Sequence, residues 1–196
     1  MKVADDLRRT LLDASLDLIE TEGLEAFSMR EVARRAGVSH QAPYHHFPDR
    51  EAILAAIVVE GFAMLREAMR AGLEGLHDPY DRHSSLGRTY ISFALSNPAH
   101  FKLMFRSEHV REDKHDDAKA SAGSAFDTLV EVVNELAREK YGREDFALAL
   151  TSWSLAHGLA TLLLEGKLDD HFGKGRKARL AAAESVLKAY DVLVRS

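Results

Sequence analysis

The sequence predicts an all-α protein with an N-terminal helix-turn-helix domain, a long connecting helix and a C-terminal helical bundle. Two observations carry this prediction. Apolar residues recur with the period of an amphipathic helix along nearly the whole chain, and no alternating strand pattern interrupts them. In addition, residues 28–50 have the pattern of two short helices joined by a tight turn that contains Gly37.

Nine helices are expected in order along the chain. The first should bury Leu11, Leu18 and Ile19, and the fourth should bury a stripe that includes Ile53 and Ile57. The expected ranges are 5–22, 29–36, a helix from 40, 49–72, 82–96, a short helix from 98, 118–141, 144–165 and 177–194. Polar loops are expected at 75–81, 106–117 and 168–175.

The helix-turn-helix is predicted from local capping signals. Ser28 and Glu31 form a capping-box pattern that begins a helix. Gly37 can adopt the left-handed conformation that ends this helix. Ser39 is expected to cap a second helix beginning at His40, and Pro43 should make the start of that helix irregular because proline lacks a backbone donor.

Composition excludes several classes of protein. The chain has 196 residues and no cysteine, so disulfides and thiolate metal sites are excluded. The N-terminus lacks the apolar run of a signal peptide, which favours a cytoplasmic location. Net charge is −5, yet residues 28–50 carry four arginines against Glu31 and Asp49. A locally positive edge is compatible with phosphate contact, and the low overall charge argues against a non-specific nucleic-acid coat protein.

Residues 7–58 resemble the N-terminal DNA-binding domain of TetR-type transcriptional regulators. The resemblance rests on stretches of matching order and spacing: Leu11-Leu12-Asp13-Ala14, Leu18-Ile19, Glu22-Gly23-Leu24, Met29 to Ser39 and Tyr44 to Glu51. Residues 153–158, with Trp153, His157 and Gly158, are similar to the C-terminal half of one TetR subgroup. The resemblance implies a DNA-binding domain at 1–50 and a dimerisation and ligand-binding domain at 51–196, linked by the helix that begins at 49.

The second helix of such a motif lies in the DNA major groove and meets base edges with its N-terminal residues. Gln41 can bond adenine bidentately, and Ala42 could touch a thymine methyl group. The resemblance implies a phosphate contact for Tyr44 and a phosphate or guanine contact for Arg30. The full predicted DNA-contact set is Ser28, Arg30, Ser39, His40, Gln41, Ala42, Tyr44, His45 and Arg50. The alternative for His40 and Gln41 is that both are ordinary solvated residues, and Phe47 is expected to anchor the helix.

Residues 146–164 form a 19-residue stretch without charge, which is long enough to raise a membrane helix. Six small or polar residues and the absence of basic flanks favour a helix buried on two sides instead. The resemblance implies that this helix and the last one pair with a second subunit. We therefore expect a homodimer that does not span a membrane.

Trp153 and His157 lie one helical turn apart, so they share a face. Either both are core residues, or they line a cavity for a small, mostly apolar effector. The predicted lining is Phe62, Tyr90, Phe93, Met104, Phe105, Phe126, Trp153 and His157.

The histidines lack metal-ligand spacing, and the sequence contains no catalytic triad order, phosphate loop or apolar carboxylate pair, so no metal, cofactor or catalytic residue is predicted. The expected function is a dimeric repressor that binds a palindromic operator and is released by an effector. Two alternatives stay open: a regulator without a small-molecule effector, and an all-α small-molecule-binding protein or enzyme with a vestigial DNA domain.

Overall fold

The computed structural model describes the backbone of residues 2–106, 108–111 and 114–196, and side chains from Asp6 onward. Within these residues the secondary structure is helical and contains no strand, which confirms the all-α prediction. The α-helices are α1 (Lys2–Glu22), α2 (Met29–Arg35), α3 (Arg50–Leu73), α4 (Pro79–Ser96), α5 (Pro98–Met104), α6 (Asp116–Tyr141), α7 (Phe146–Leu164), α8 (Asp169–Phe172) and α9 (Arg176–Arg195). Two 3₁₀ helices, Leu24–Ala26 and Ala42–His45, flank α2 in the sequence.

Most helix ends follow the expected local signals. The Asp49 carboxylate accepts from the Ala52 N–H at 2.8 Å and begins α3. Gly142 and Gly166 lie just beyond α6 and α7 with φ of 69° and 68°, the left-handed conformation that glycine adopts readily.

Three expected loops differ from the structure to different degrees. Helix α4 begins at Pro79 and not near residue 82, because the Asp78 carboxylate accepts from the Asp81 N–H and proline suits the first turn. The expected loop 168–175 contains the short helix α8. Within the expected loop 106–117, residues 107, 112 and 113 lie outside the described residues, and α6 begins at Asp116.

The chain divides into two compact units, and α3 and α6 contribute residues to both. The first unit is Met1–Phe62 with Pro98–Ser121, and the second is Ala63–Asn97 with Ala122–Ser196. The predicted boundary at residue 50 separates DNA binding from dimerisation and ligand binding, whereas the two units are defined by contacts within the chain. The functional boundary therefore stays a prediction.

The first unit packs α1, α2 and α5 around the beginning of α3. Its side chains with almost no exposure come from all of these helices, namely Leu11, Leu18, Val32, Ile53, Leu54, Ile57 and Leu103. Helix α5 lies very close to α3 at Gly61, where an added Cβ would lie 2.7 Å from the Met104 Sδ. This core holds the helix-turn-helix against α3.

In the second unit, α4 packs against both α7 and α9. The apolar core of this unit includes Leu86, Ile91, Val133, Leu136, Leu163 and Leu187. Helix α9 approaches α4 at Gly87, since an added Cβ there would lie 3.2 Å from the Leu187 Cδ2.

Candidate functional site

Both ends of α2 are capped as the sequence predicts. The Ser28 hydroxyl oxygen accepts from the Glu31 N–H at 3.2 Å. At the other end Gly37 has a φ of 69°, and the Val38 N–H donates to the Ala33 carbonyl at 3.0 Å, as in a Schellman motif. The reciprocal half of the capping box differs from expectation, because the Glu31 carboxylate accepts from the Arg34 guanidinium.

Residues 39–47, which we call segment 39–47, form a turn and a 3₁₀ helix and not the α-helix expected from His40. The reason is Pro43, whose nitrogen has no hydrogen and cannot donate the α-helical bond to the Ser39 carbonyl. That carbonyl accepts instead from the Ala42 N–H at 3.0 Å. The predicted irregularity is confirmed, whereas the prediction that Ser39 caps a helix beginning at His40 is wrong.

Segment 39–47 buries two of its side chains and exposes most of the others. Pro43 is buried and Phe47 is 3% exposed, while Tyr44 between them is 50% exposed. The guanidinium of Arg8 lies over the Phe47 ring at 5.2 Å from its centroid. Phe47 therefore anchors the segment as predicted.

Four of the residues predicted to contact DNA come together on one open concave surface. Arg30 from α2 and His40, Gln41 and Tyr44 from segment 39–47 line this surface. All four side chains are exposed. A guanidinium, an imidazole, an amide and a phenol together offer donors and acceptors suited to base edges and phosphates.

The remaining predicted DNA-contact residues differ in their surroundings. Ser28, Ser39 and His45 are exposed, and Ala42 is half-buried. Arg50 is half-buried and donates to the carbonyl oxygens of Phe27 and Leu24, both at 3.3 Å. Its guanidinium also lies over the Phe27 ring, so Arg50 ties the beginning of α3 to the connection between α1 and α2.

Two further arginines of this region are ion-paired within the first unit. Arg34 pairs with Glu31, and Arg35 pairs with both Asp17 and Glu22. The sequence count already set Glu31 against the arginines, but it left Arg35 as net positive charge because spacing along the chain does not identify partners on another helix. The positive edge is therefore weaker than the count of arginines implied.

In the second unit, the predicted pair Trp153 and His157 belongs to a row of aromatic contacts. The Tyr90 hydroxyl lies 2.9 Å from His157 Nδ1, and the rings of His157 and Trp153 lie 5.9 Å apart. Phe126 meets Trp153 edge-on at 5.6 Å and also contacts the exposed Phe146. The row thus runs from a buried tyrosine to a ring that is 57% exposed.

Burial disfavours the charged forms of the polar groups in this row. Burial lowers the pKa of His157 and raises the pKa of Tyr90, and a hydrogen bond with Trp153 partly offsets the effect on Tyr90. A neutral His157 whose Nδ1 accepts from the Tyr90 hydroxyl carries its proton on Nε2.

The other predicted pocket residues divide between the two units. Phe93 lies in the second unit and is buried. Phe62, Met104 and Phe105 lie in the first unit, where the rings of Phe62 and Phe105 are 5.6 Å apart. That all eight residues line one effector site stays a prediction.

A second polar cluster in the second unit was not predicted from the sequence. His83 Nε2 lies 2.9 Å from the Ser152 Oγ, which lies 3.3 Å from the Tyr190 hydroxyl. His83 is 6% exposed, and burial lowers its pKa against a smaller opposing effect of Asp191. The three residues lie on α4, α7 and α9, so the sequence signal was limited to a histidine on an otherwise apolar helix face.

Helices α7 and α9 each present an uncharged strip of exposed residues. On α7, Leu150 and Leu162 are 39% and 43% exposed, and the half-buried Gly158 lies between them. On α9 the exposed strip consists of Ala181, Ser185, Ala189 and Val192. Contiguous exposed apolar patches mark interaction sites on soluble proteins.

Helix α7 is long and apolar enough to cross a membrane by length and composition, and 33% of it is buried. Core helices of soluble proteins can have the same length and apolar composition. Among the described residues, no group of three or more histidines or carboxylates could hold a metal ion.

A helix-turn-helix is a motif of DNA-binding regulators, and comparisons with known proteins identify the family of this chain. The model for bacterial regulatory proteins of the tetR family matches residues 11–57, and the tetracyclin repressor-like C-terminal domain matches residues 84–187. The HTH-type transcriptional regulator BetI of Cronobacter sakazakii is 31% identical over 172 residues, which cover 80% of this chain and 75% of BetI. BetI of Rhizobium meliloti is 36% identical over 110 residues, about half of each chain (55% and 54%).

Solved structures of other proteins have the same fold over most of this chain. A Rhodococcus protein of unknown function is 31% identical, with a TM-score of 0.72 over 93% of this chain and 94% of that protein. The TetR-family regulator PfmR of Thermus thermophilus is 22% identical, with a TM-score of 0.66 over 94% and 96% of the two chains, and shows the shared fold. The chain belongs to the TetR family of DNA-binding transcriptional regulators. Dimerisation and effector release are typical of this family. The narrower subgroup suggested by Trp153, His157 and Gly158 stays a prediction.

Proposed function

We propose that this regulator is a cytoplasmic homodimeric repressor that binds a palindromic operator and releases it when a small, mostly apolar effector binds. The observation that carries the DNA-binding part is the concave surface of Arg30, His40, Gln41 and Tyr44 on the helix-turn-helix. The elements of this motif place such a surface at the major groove.

The roles within this surface follow from side-chain chemistry. Gln41 reads adenine through its amide, and His40 and Ala42 complete the contact with base edges. Tyr44 bonds a phosphate through its hydroxyl, and Arg30 bonds a phosphate or a guanine. Base contacts determine sequence preference, whereas phosphate contacts mainly determine affinity and register.

The remaining predicted residues act at the rim of this surface. Ser28, Ser39 and His45 are exposed and contact the DNA backbone in the proposed complex. Arg50 holds the start of α3 through its bonds to two carbonyls, and its remaining donors face phosphate.

Selection of binding sites from random duplex DNA tests this assignment. Gln41→Ala should cost about 1–3 kcal/mol of binding free energy and relax one position of the selected site. Tyr44→Phe is the matched control, since loss of a phosphate contact weakens all sequences alike. An identical selected site for the wild type and Gln41→Ala would show that Gln41 does not read a base.

We propose that the exposed strips of α7 and α9 form the subunit interface. The strips are uncharged and lie on neighbouring helices of the second unit, which supports helix-to-helix packing over a membrane-spanning role for α7. A stable interface of this type buries on the order of 2,000 Å² or more. Sedimentation of a monomer at micromolar concentration would contradict the dimer and the palindromic operator together.

The effector is proposed to bind beside Trp153 and His157. The aromatic row from Phe146 to Tyr90 offers apolar walls, and His157 offers one polar group to orient the ligand. Trp153 is the one tryptophan of the sequence, so its fluorescence reports on this site directly. Screening apolar compounds for a change in Trp153 emission, followed by operator release, tests the proposal.

His157→Ala separates the effector site from a structural role. The proposal expects a weaker response to effector and unchanged operator affinity, because a ligand shifts the protein only by its differential affinity for the two states. Lost operator binding with an intact response would show that His157 is a structural residue. The alternative is a regulator without an effector, and the hydrogen bond between Tyr90 and His157 favours it because that bond already occupies the polar group of the row. If this alternative is correct, no compound should alter Trp153 emission.

A further inference from the structure

The backbone hydrogen bonds of segment 39–47 span three residues on both sides of the Pro43 nitrogen. The Ala42 N–H donates to the Ser39 carbonyl at 3.0 Å, and the Tyr44 N–H donates to the Gln41 carbonyl at 3.1 Å. Bonds of an α-helix would span four residues instead. The chain between Gln41 and Tyr44, which both line the concave surface, is therefore a 3₁₀ turn.

The proline ring is the cause of this geometry. An α-helix that begins at His40 needs the N–H of residue 43 to donate to the Ser39 carbonyl, and proline has no N–H. Beyond the ring a longer bond appears, because the Phe47 N–H donates to the Pro43 carbonyl at 2.9 Å across four residues. The segment thus forms an α-type bond where the ring no longer prevents it.

The two geometries place Gln41 and Tyr44 differently. Three steps along the chain turn through about 360° in a 3₁₀ helix and about 300° in an α-helix, and they rise by about 6 Å and about 4.5 Å. In the 3₁₀ turn the amide of Gln41 and the phenol of Tyr44 therefore share one face. In an α-helix Tyr44 would be rotated by about 60° from Gln41 and would lie about 1.5 Å closer along the axis.

We propose that Pro43 determines which DNA sequence this regulator reads, although its own side chain is buried within the first unit. This inference rests on the proposed DNA surface, in which Tyr44 bonds a phosphate and Gln41 reads a base. Phosphate contacts fix the register of a protein on the duplex. The angle between Tyr44 and Gln41 then selects the base edge that the amide meets, so Pro43 is a positioning residue that acts through Gln41.

The test replaces Pro43 by leucine, which is also apolar and supplies the missing N–H. Pro43→Leu should convert the segment to an α-helix, so the new amide at position 43 should exchange slowly with solvent deuterium in an NMR measurement. Selection from random duplex DNA with the full-length chain should then return a different base preference at the position that Gln41 reads. Affinity for the wild-type duplex should fall by roughly 5- to 150-fold, since a bidentate base contact is worth about 1–3 kcal/mol.

Two further variants separate the restored N–H from other effects of the substitution. Pro43→Ala supplies the same N–H with a smaller side chain and should return the same new preference as Pro43→Leu. Phe47→Leu is the matched control, because Phe47 is the other buried residue of this segment and its backbone donor is kept. This control should lower stability and keep the wild-type preference.

A double variant tests whether Pro43 acts through Gln41. Gln41→Ala with Pro43→Leu should select the same site as Gln41→Ala alone, because the amide whose position the proline sets is absent from both. A general loosening of the domain would instead add its effect to that of Gln41→Ala.

An unchanged selected site in Pro43→Leu and Pro43→Ala would overturn the inference. A rapidly exchanging amide at position 43, loss of folding in both variants, or a changed preference in Phe47→Leu would also overturn it. After any of these results the proposed DNA surface still stands if Gln41→Ala relaxes one position of the wild-type site. If Gln41→Ala leaves that site unchanged, the proposed DNA surface fails as well.

Discussion

Gly158 provides a sharp test of the proposed subunit interface, because an added methyl group should have opposite effects on the single chain and on the dimer. Gly158 lies within α7 in ordinary helical conformation, and an added Cβ would meet no atom of the same chain within 4 Å. Replacing glycine by alanine inside a helix stabilises it by roughly 0.5–1 kcal/mol. Gly158→Ala should therefore raise the stability of the single chain.

In the dimer the same methyl group would enter a close contact between helices. Overpacking of this kind costs about 1–3 kcal/mol, which corresponds to roughly a 5- to 150-fold weaker dimer. Sedimentation over a range of protein concentrations measures the dissociation constant, and urea unfolding of dilute protein measures the stability of the chain.

The matched control is Gly123→Ala in α6, where an added Cβ also meets nothing within 4 Å of the same chain. This control should stabilise the chain and leave the dimer unchanged. If Gly158→Ala behaves in the same way, no partner helix approaches α7 closely at Gly158, and the proposed packing of the interface is wrong.

Three further predictions concern stability. Ser28→Ala removes the oxygen that caps α2 and should lower the free energy of unfolding by about 0.5–2 kcal/mol in urea, and an unchanged midpoint would contradict this role. Burial lowers the pKa of His83, so the unfolded chain binds a proton that the folded chain excludes, and stability should fall as pH decreases from about 7 to about 5. His83→Gln should lose less stability over that range, whereas parallel curves would show that other groups cause the dependence. Tyr90→Phe removes the hydroxyl bonded to His157 and should cost about 1–3 kcal/mol in urea unfolding, with no loss expected if water replaces that hydroxyl.

The sequence predicted those features of the helix-turn-helix that depend on local chemistry. Ser28 as a cap, Gly37 at a positive φ and the irregularity at Pro43 each follow from one residue and its immediate neighbours. Pro79 shows that such a signal can be overlooked, since Asp78 and Pro79 begin α4 by the same rule that correctly placed a helix at Pro98.

Partners on different helices could not be predicted in this way. Helical period identifies the face on which Arg35 or His83 lies, but it does not identify which residue of another helix will meet that face. The pairing of Arg35 with α1 and the cluster of His83, Ser152 and Tyr190 both depend on tertiary packing. The sequence therefore indicated four residues that line the concave surface, but not the ion pairs that reduce the charge beside it.

The division of segment 39–47 into two buried residues and a set of exposed ones has a consequence for how this protein could acquire a new target. Pro43 and Phe47 fix the path of the backbone from inside the domain, while His40, Gln41 and Tyr44 stand outside it. Because exchanges at exposed positions usually change stability by less than about 0.5 kcal/mol, these three positions can be randomised together without loosening the scaffold that carries them. A library built at the three positions would keep the fold constant and vary the DNA sequence that it reads.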